Sequence, residues 1–165
     1  MDIGIISEVI KNSYGIKNEV IKNLESSVGN VYDVVSTNSK YIVKIYNDFN
    51  HVCRMIELSE KLNDFGIIVP KIIKNLVNMD YVLIDNKYIV VYEFLNGKSI
   101  RFNGIIPREV IYKIAMELRK MHDSLNINIG LKEINFDINL QRKSVLHFDL
   151  TKDNILYNDG DIAFI

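Results

Sequence analysis

Residues 147–154 read His147-Phe148-Asp149-Leu150-Thr151-Lys152-Asp153-Asn154, and Ile155-Leu156-Tyr157 follow directly. The stretch therefore holds a His, an Asp two residues later and an Asn five residues beyond that Asp. Apolar pairs stand on both sides, Val145-Leu146 before and Ile155-Leu156 after, which predicts a buried strand on each flank. A charged and amide-bearing loop between two buried strands is costly unless the protein uses it.

This order of side chains is the order of a catalytic loop for phosphoryl transfer. In that chemistry the Asp accepts the proton of the acceptor hydroxyl, and the Asn holds a Mg²⁺ ion. The candidate catalytic residues are therefore Asp149, His147 and Asn154, and Asn154 is also the candidate metal ligand. In the structural alternative, His147 hydrogen-bonds the backbone, Asp149 caps a turn and Asn154 only begins a strand.

The composition is that of an ordinary globular protein. The 165 residues are 48% hydrophobic and 25% charged, which suits one domain or two small lobes. The formal net charge of −1 gives no indication of a nucleic-acid or membrane partner. No apolar run approaches the length of a membrane span, so we expect a cytoplasmic protein. The single cysteine, Cys53, excludes an internal disulfide and is expected to be a small buried apolar residue.

Hydrophobic periodicity predicts an α+β chain that begins with an antiparallel sheet. Helical spacing marks 3–12 and 52–62, and Gly66 suits the end of the second helix. Strands are predicted at 31–35, 41–46, 79–84 and 87–94. The first two are expected to form a hairpin, and Asp85-Asn86 are expected to form the turn between the last two. The segment 67–73 contains Pro70, which suits an edge strand or an extended entry.

The spacing of the apolar residues along the chain changes after residue 95. Leu95 to Ser99 are predicted to form a loop, and Pro107 to start a third helix. Residues 155–157 and 162–165 predict a hairpin. We expect two domains, 1–95 and 96–165.

Phosphoryl transfer needs a cover and a cation over the phosphates, besides metal ligands and a group that orients the nucleophile. The candidate cover is the small-residue turn before the second strand, with Ser26, Ser27, Gly29 and Asn30. An ordinary hairpin turn is the alternative. The candidate cation is Lys44, in mid-strand among apolar residues, and its alternative is a lysine on a solvent face.

A lysine that faces away from bulk water needs a partner. The helix after the Lys44 strand offers Glu57, with Glu60 as the alternative acid. This predicts a Lys44–Glu57 bridge of the kind that positions phosphates in kinases. Where strand 87–94 becomes a loop, the backbone C=O of Glu93 and N–H of Leu95 are candidates to pair with a purine edge. A plain strand end is the alternative.

Together these residues resemble the aminoglycoside phosphotransferase and choline kinase group of protein-kinase-like small-molecule kinases. The resemblance runs through nearly the whole chain. It rests on the Lys44 strand, the Gly66-Ile67-Ile68-Val69-Pro70 segment, a hinge at 91–97, the Leu118 to His122 helix end and the loop 147–154.

The resemblance implies a protein-kinase-like fold, with an antiparallel-sheet N-lobe and a partial, mainly helical C-lobe. It also implies ATP or GTP with Mg²⁺ as cofactors, and transfer of a phosphoryl group to a small-molecule hydroxyl acceptor. In this family a second metal-binding Asp follows the strand that here runs to Ile165. We therefore expect a C-terminally truncated, inactive chain. The alternative is a non-catalytic remnant of that family that binds a nucleotide or self-associates.

Overall fold

The computed structural model describes residues 1–24, 30–100, 106–124 and 154–165. Three helices are present in these ranges: α1 (Ile3–Tyr14), α2 (Phe49–Asp64) and α3 (Arg108–Ser124). Eight strands accompany them: β1 (Asn18–Leu24), β2 (Val31–Ser36), β3 (Lys40–Tyr46), β4 (Val82–Ile84), β5 (Lys87–Glu93), β6 (Lys98–Ser99), β7 (Ile155–Asn158) and β8 (Asp161–Phe164). The predicted α+β class is confirmed.

The chain divides into two compact units. The first contains Met1–Ile56 and Pro70–Phe94, and the second contains Glu57–Val69 and Leu95–Ile165. Helix α2 therefore begins in the first unit and ends in the second. The domain bounds 1–95 and 96–165 stay a prediction.

Helix α1 begins and ends with ordinary capping groups. The Asp2 side chain accepts a hydrogen bond from the Gly4 N–H, and Gly15 ends the helix in the left-handed conformation with φ of 68°. Ile6, Val9 and Ile10 are buried, as their helical spacing predicts.

The first unit is built on a five-stranded sheet of order β1-β2-β3-β5-β4, in which every pairing is antiparallel. The predicted hairpin of β2 and β3 is present. Asp85 and Asn86 join β4 to β5 with φ of 49° and 59°, the backbone of a two-residue hairpin turn. The strand predicted at 79–84 is shorter and begins at Val82.

The two faces of this sheet bury different side chains. Val34, Val43 and Val91 belong to a core that includes the buried face of α1. Val90 and Tyr92 point the other way and form a second core with Val52 of α2. Because side chains alternate along a strand, Lys44, between Val43 and Ile45, lies on the α2 side of the sheet.

The second unit has its own apolar core. Leu62 from the end of α2, Met121 from α3 and Phe164 from β8 are buried together there. The sheet of this unit has the order β6-β7-β8, and the predicted β7–β8 hairpin is present. The Lys113 ammonium on α3 donates to the Gly160 carbonyl in the turn of that hairpin, at 2.5 Å.

Two local predictions are corrected, and the structure decides between two alternatives at a third place. Lys98 and Ser99, predicted as loop, form β6, because they pair with Tyr157 and Leu156 far along the chain. Segment 67–73 forms two isolated bridges and no strand, so it is the predicted extended entry and not an edge strand. Cys53 is exposed and not buried, because it lies about 100° around α2 from the buried Val52.

Within the described ranges, none of the helices has the length and apolar character needed to cross a bilayer.

Candidate functional site

Lys44 lies in the middle of β3, between two strands that hold it on both sides. It stands opposite Val31 of β2 and opposite Val90 of β5. The β-branched residues around it favour the extended backbone, and their alternation with Lys44 places the ammonium on the α2 side. The predicted mid-strand lysine is therefore present, on a sheet face that is partly covered by α2.

The surroundings of the Lys44 ammonium are apolar and aromatic. Burial lowers the pKa of Lys44 below its ordinary value, because removal from water disfavours the charged form. The Nζ atom lies 5.4 Å from the centroid of the Tyr92 ring. Among the described residues of the first unit, no carboxylate lies within ion-pair distance of Lys44. Lys44 is half-buried, so the site presents a partly desolvated positive charge that suits an anionic ligand.

Asn30 is the one candidate residue of the phosphate-covering turn that the structure describes, and it lies beside the Lys44 strand. Asn30 has a left-handed backbone with φ of 64°, and its carbonyl accepts a hydrogen bond of 3.1 Å from the N–H of Ile45, the residue after Lys44. Ser26, Ser27 and Gly29 lie outside the described residues. Their contact with phosphates stays a prediction.

Sequence reasoning missed Asp33, which shares the sheet face of Lys44. Asp33 stands opposite Ile42, two residues before Lys44. Its Oδ1 atom is buried and has no hydrogen-bond partner in the described part of the chain. A buried carboxylate oxygen without a donor is costly, so it is a candidate to accept a hydrogen bond from a ligand. The register of the β2–β3 hairpin is the signal that could have revealed it.

Glu57 forms its described ion pair within α2. Its carboxylate contacts the ammonium of Lys61, one helical turn further along. Such a pair between exposed side chains adds little to stability. The Lys44–Glu57 bridge stays a prediction.

Glu93 ends β5 and holds the entering segment at Lys71. The N–H of Glu93 donates to the Lys71 carbonyl at 2.8 Å, and its Oε1 accepts from the Lys71 N–H at 3.3 Å. The Glu93 side chain therefore helps to hold the segment at Lys71 against β5, a role that the sequence did not predict. Leu95 follows as a half-buried residue of the second unit. The pairing of a purine edge with this backbone stays a prediction.

Asn154 lies at the open end of the β7–β8 hairpin in the second unit. Its carbonyl accepts a hydrogen bond of 3.0 Å from the Ile165 N–H, so the two ends of the hairpin are adjacent. His147 and Asp149 lie outside the described residues. Within the described ranges, no three His, Cys, Asp or Glu side chains are grouped so that they could bind a metal ion. The metal assignment of Asn154 stays a prediction.

The chain has no match among family models and none among curated protein sequences. It is similar to solved structures of small-molecule kinases. A spectinomycin phosphotransferase in complex with ADP and spectinomycin superposes with a TM-score of 0.77 at 16% identity, over 100% of this chain and 68% of that one. An amicoumacin kinase in complex with AMP-PNP and Ca²⁺ gives 0.64 at 16% identity, over 100% of this chain and 63% of that one.

A third similar structure is a microcompartment-associated aminopropanol kinase, with a TM-score of 0.59 at 16% identity. That match covers 82% of this chain and 45% of the kinase. At these identities the similarity concerns the fold, and this chain spans about two thirds or less of the proteins compared here. The predicted protein-kinase-like fold is confirmed: the chain has the α+β fold of aminoglycoside phosphotransferases and related small-molecule kinases, with an antiparallel-sheet N-lobe and part of a C-lobe.

Proposed function

We propose that this chain is the nucleotide-binding part of a phosphotransferase that uses ATP or GTP and acts on a small hydroxyl compound. The observation that carries the proposal is the desolvated Lys44 ammonium, which has no carboxylate partner among the described residues of its own unit. A buried cation of this kind is stabilised by a polyanionic ligand. The fold supports the assignment, because a protein of this fold was solved with ADP.

Each candidate residue has a defined role in the proposed reaction. Lys44 binds phosphate oxygens, and Asp149 accepts the proton of the acceptor hydroxyl as that oxygen attacks the terminal phosphorus. The bond from that phosphorus to its bridging oxygen breaks, and the nucleoside diphosphate leaves with the bridging oxygen. Asn154 offers an amide oxygen, which is the ligand class that Mg²⁺ prefers. A bound Mg²⁺ ion would neutralise charge on the phosphates. His147 positions the loop that carries Asp149.

The acceptor belongs to the class of small polar hydroxyl compounds. Proteins with this fold were solved with spectinomycin and with amicoumacin, and a third is named as an aminopropanol kinase. This spread of acceptors on one fold shows why the fold alone does not select the substrate. Acceptor choice is expected to depend on residues outside the nucleotide site.

Calorimetric titration with the ATP analogue AMP-PNP, with and without Mg²⁺, tests the proposal directly. We expect saturable binding that strengthens with Mg²⁺. The Lys44→Met variant loses a charge-assisted contact of about 1.5–3 kcal/mol, which weakens binding by about 10- to 100-fold. Lys40→Met is the matched control on the same strand, because Lys40 is exposed.

Two outcomes of that titration would contradict the proposal. Absence of binding by the unaltered protein would remove the nucleotide function. Equal affinity of the Lys44→Met and Lys40→Met proteins would remove Lys44 from the site. Asp149→Asn separates binding from chemistry, since it should leave AMP-PNP affinity within about threefold while it abolishes any phosphoryl transfer from ATP to an added aminoglycoside.

Self-association is a further part of the proposal. Ile111, Tyr112 and Met116 of α3 are 51%, 65% and 49% exposed. Exposed apolar side chains on one helix favour association between copies. Sedimentation velocity should show a concentration-dependent dimer, and a clean monomer across the accessible concentrations would exclude it.

A further inference from the structure

Two tyrosines next to Lys44 form a hydrogen-bonded pair that the proposed reaction does not yet use. Tyr46 lies two residues after Lys44 on β3, and Tyr92 lies on the neighbouring β5. Their hydroxyl oxygens are 2.9 Å apart and share a hydrogen bond. Burial raises the pKa of both phenols, so both stay neutral under ordinary conditions.

The ring of Tyr92 is the aromatic face that lies closest to the charge of Lys44 in the described contacts. The 5.4 Å between Nζ and the ring centroid falls within the range of about 6 Å over which a ring attracts a cation. The attraction strengthens when the cation is desolvated, which is the case here. Tyr92 thus stabilises the charged form of Lys44 that burial disfavours.

The position of the Tyr92 ring is determined from three sides. Its neighbour across the strands is Ile42 of β3, and its backbone bridges to Ile72 of the entering segment. It is 5% exposed and packs with Val52 of α2 in one core. The hydroxyl bond to Tyr46 then limits how the ring can tilt. Because these contacts fix the Tyr92 ring, the ring can hold the Lys44 ammonium that lies over it.

An aromatic face differs from a carboxylate in a way that matters for phosphate binding. A carboxylate partner neutralises much of the lysine charge and accepts a hydrogen bond from the ammonium, which then has fewer donors left for a ligand. A ring attracts the cation through its quadrupole and carries no net charge. The contact with Tyr92 therefore leaves the charge of Lys44 and its hydrogen-bond donors available to an anion.

We infer that Tyr92 is a positioning residue whose ring face holds the Lys44 ammonium for the phosphates of the bound nucleotide. The role of Tyr92 in nucleotide binding rests on the proposed function. The Lys44–Tyr92 contact itself rests only on the geometry of the first unit. Tyr92 acts through Lys44 and need not touch the nucleotide. The two claims can therefore be tested separately.

The contact is tested first without nucleotide. A ring face close to Nζ shifts the NMR signals of the Lys44 ε-methylene protons upfield, and the loss of one signal in Lys44→Met assigns them. We expect this shift in the unaltered protein and in Tyr92→Phe, which keeps the ring, and its loss in Tyr92→Leu. An unshifted Lys44 signal in the unaltered protein overturns the inference without any further variant.

The second test uses AMP-PNP as the probe. Tyr92→Leu should weaken its binding by about 3- to 30-fold, since a desolvated cation–ring contact is lost. Tyr92→Phe should restore the affinity to within about threefold of the unaltered protein. Tyr88→Leu is the matched control, because Tyr88 lies on the same strand and the same sheet face but has no cation among its described ring contacts.

The outcomes distinguish the inference from the function on which it rests. Equal losses in Tyr92→Phe and Tyr92→Leu, or a loss as large in Tyr88→Leu, would show that general packing and not the ring face matters. No AMP-PNP binding by the unaltered protein would remove the proposed nucleotide function, while the NMR shift would still decide the Lys44–Tyr92 contact. If Tyr92→Leu does not fold, Tyr92→Met replaces it with the same expectations.

Discussion

Replacement of Lys44 by methionine should make this protein more stable while it damages the proposed site. Methionine keeps an unbranched stem of similar length and removes the ammonium. Replacement of buried ion pairs by apolar residues of similar volume often stabilises proteins by about 1–4 kcal/mol, and we apply the same range to the single, half-buried charge of Lys44. From this gain the lost cation–ring attraction at Tyr92, about 1 kcal/mol, is subtracted. We expect the free energy of unfolding to rise by up to about 3 kcal/mol at pH 7.

The assay is urea unfolding followed by circular dichroism, since the chain has no tryptophan to report on unfolding by fluorescence. Linear extrapolation gives the free energy of unfolding in water. For a protein of this size, 1 kcal/mol corresponds to about 2–4 °C in Tm, so a thermal scan provides an independent check. Lys40→Met is the control, because Lys40 is exposed yet also lies over a ring, that of Phe94 at 5.1 Å.

The stability difference should also depend on pH in a defined direction. The pKa of Lys44 is lower in the folded protein than in the unfolded chain. Between those two pKa values the unfolded state binds more protons, so the stability of the unaltered protein rises with pH in that window. Lys44→Met has no such group, and its advantage should therefore shrink as the pH is raised from 7 towards 10.

Two results would refute this reasoning. A Lys44→Met protein that is less stable than the unaltered protein would show that Lys44 has a compensating partner. An advantage that stays constant from pH 7 to 10 would show that Lys44 has no lowered pKa in the folded state. For Lys40→Met the expected change lies within about 0.5 kcal/mol.

Three further predictions concern residues away from the candidate site. Asn75→Ala should lower the free energy of unfolding by about 2–3 kcal/mol in urea unfolding, because this buried side chain accepts from two backbone N–H groups and donates to a carbonyl; an unchanged midpoint would contradict it. Gly66→Ala should cost about 1 kcal/mol by the same assay, since its φ is 69°; a gain in stability would refute that strain. Tyr14→Phe should lower the stability by about 1 kcal/mol in a thermal scan, because its hydroxyl donates to the Ile89 carbonyl at 3.3 Å; an unaltered Tm would count against that bond.

Local sequence patterns predicted those elements correctly whose signals lie within their own stretch of sequence. The helical spacing of Ile6, Val9 and Ile10 predicted α1, and Asp85-Asn86 predicted the turn from β4 to β5. Both signals depend on residues that are close in sequence, and no distant partner is needed to interpret them. For the same reason the helix after Pro107 was predicted correctly.

Elements that depend on a distant partner were missed. Lys98 and Ser99 carry no strand pattern of their own, and they form β6 only because β7 provides hydrogen-bond partners. Cys53 was expected to be buried, and its exposure depends on which stripe of α2 meets the sheet. Burial on a helix surface is decided by the neighbour it packs against.

For the candidate site, the sequence alone identified Lys44 as a lysine among apolar strand residues, and it identified the order of candidate residues from Ser26 to Asn154. Only the tertiary structure decided what surrounds Lys44. The pairing of β3 with β5 places Tyr92 next to its ammonium, and the β2–β3 register places Asp33 on the same face. The reason is that a strand determines which of its own side chains share a face, whereas the neighbouring strands and their register determine what those side chains meet.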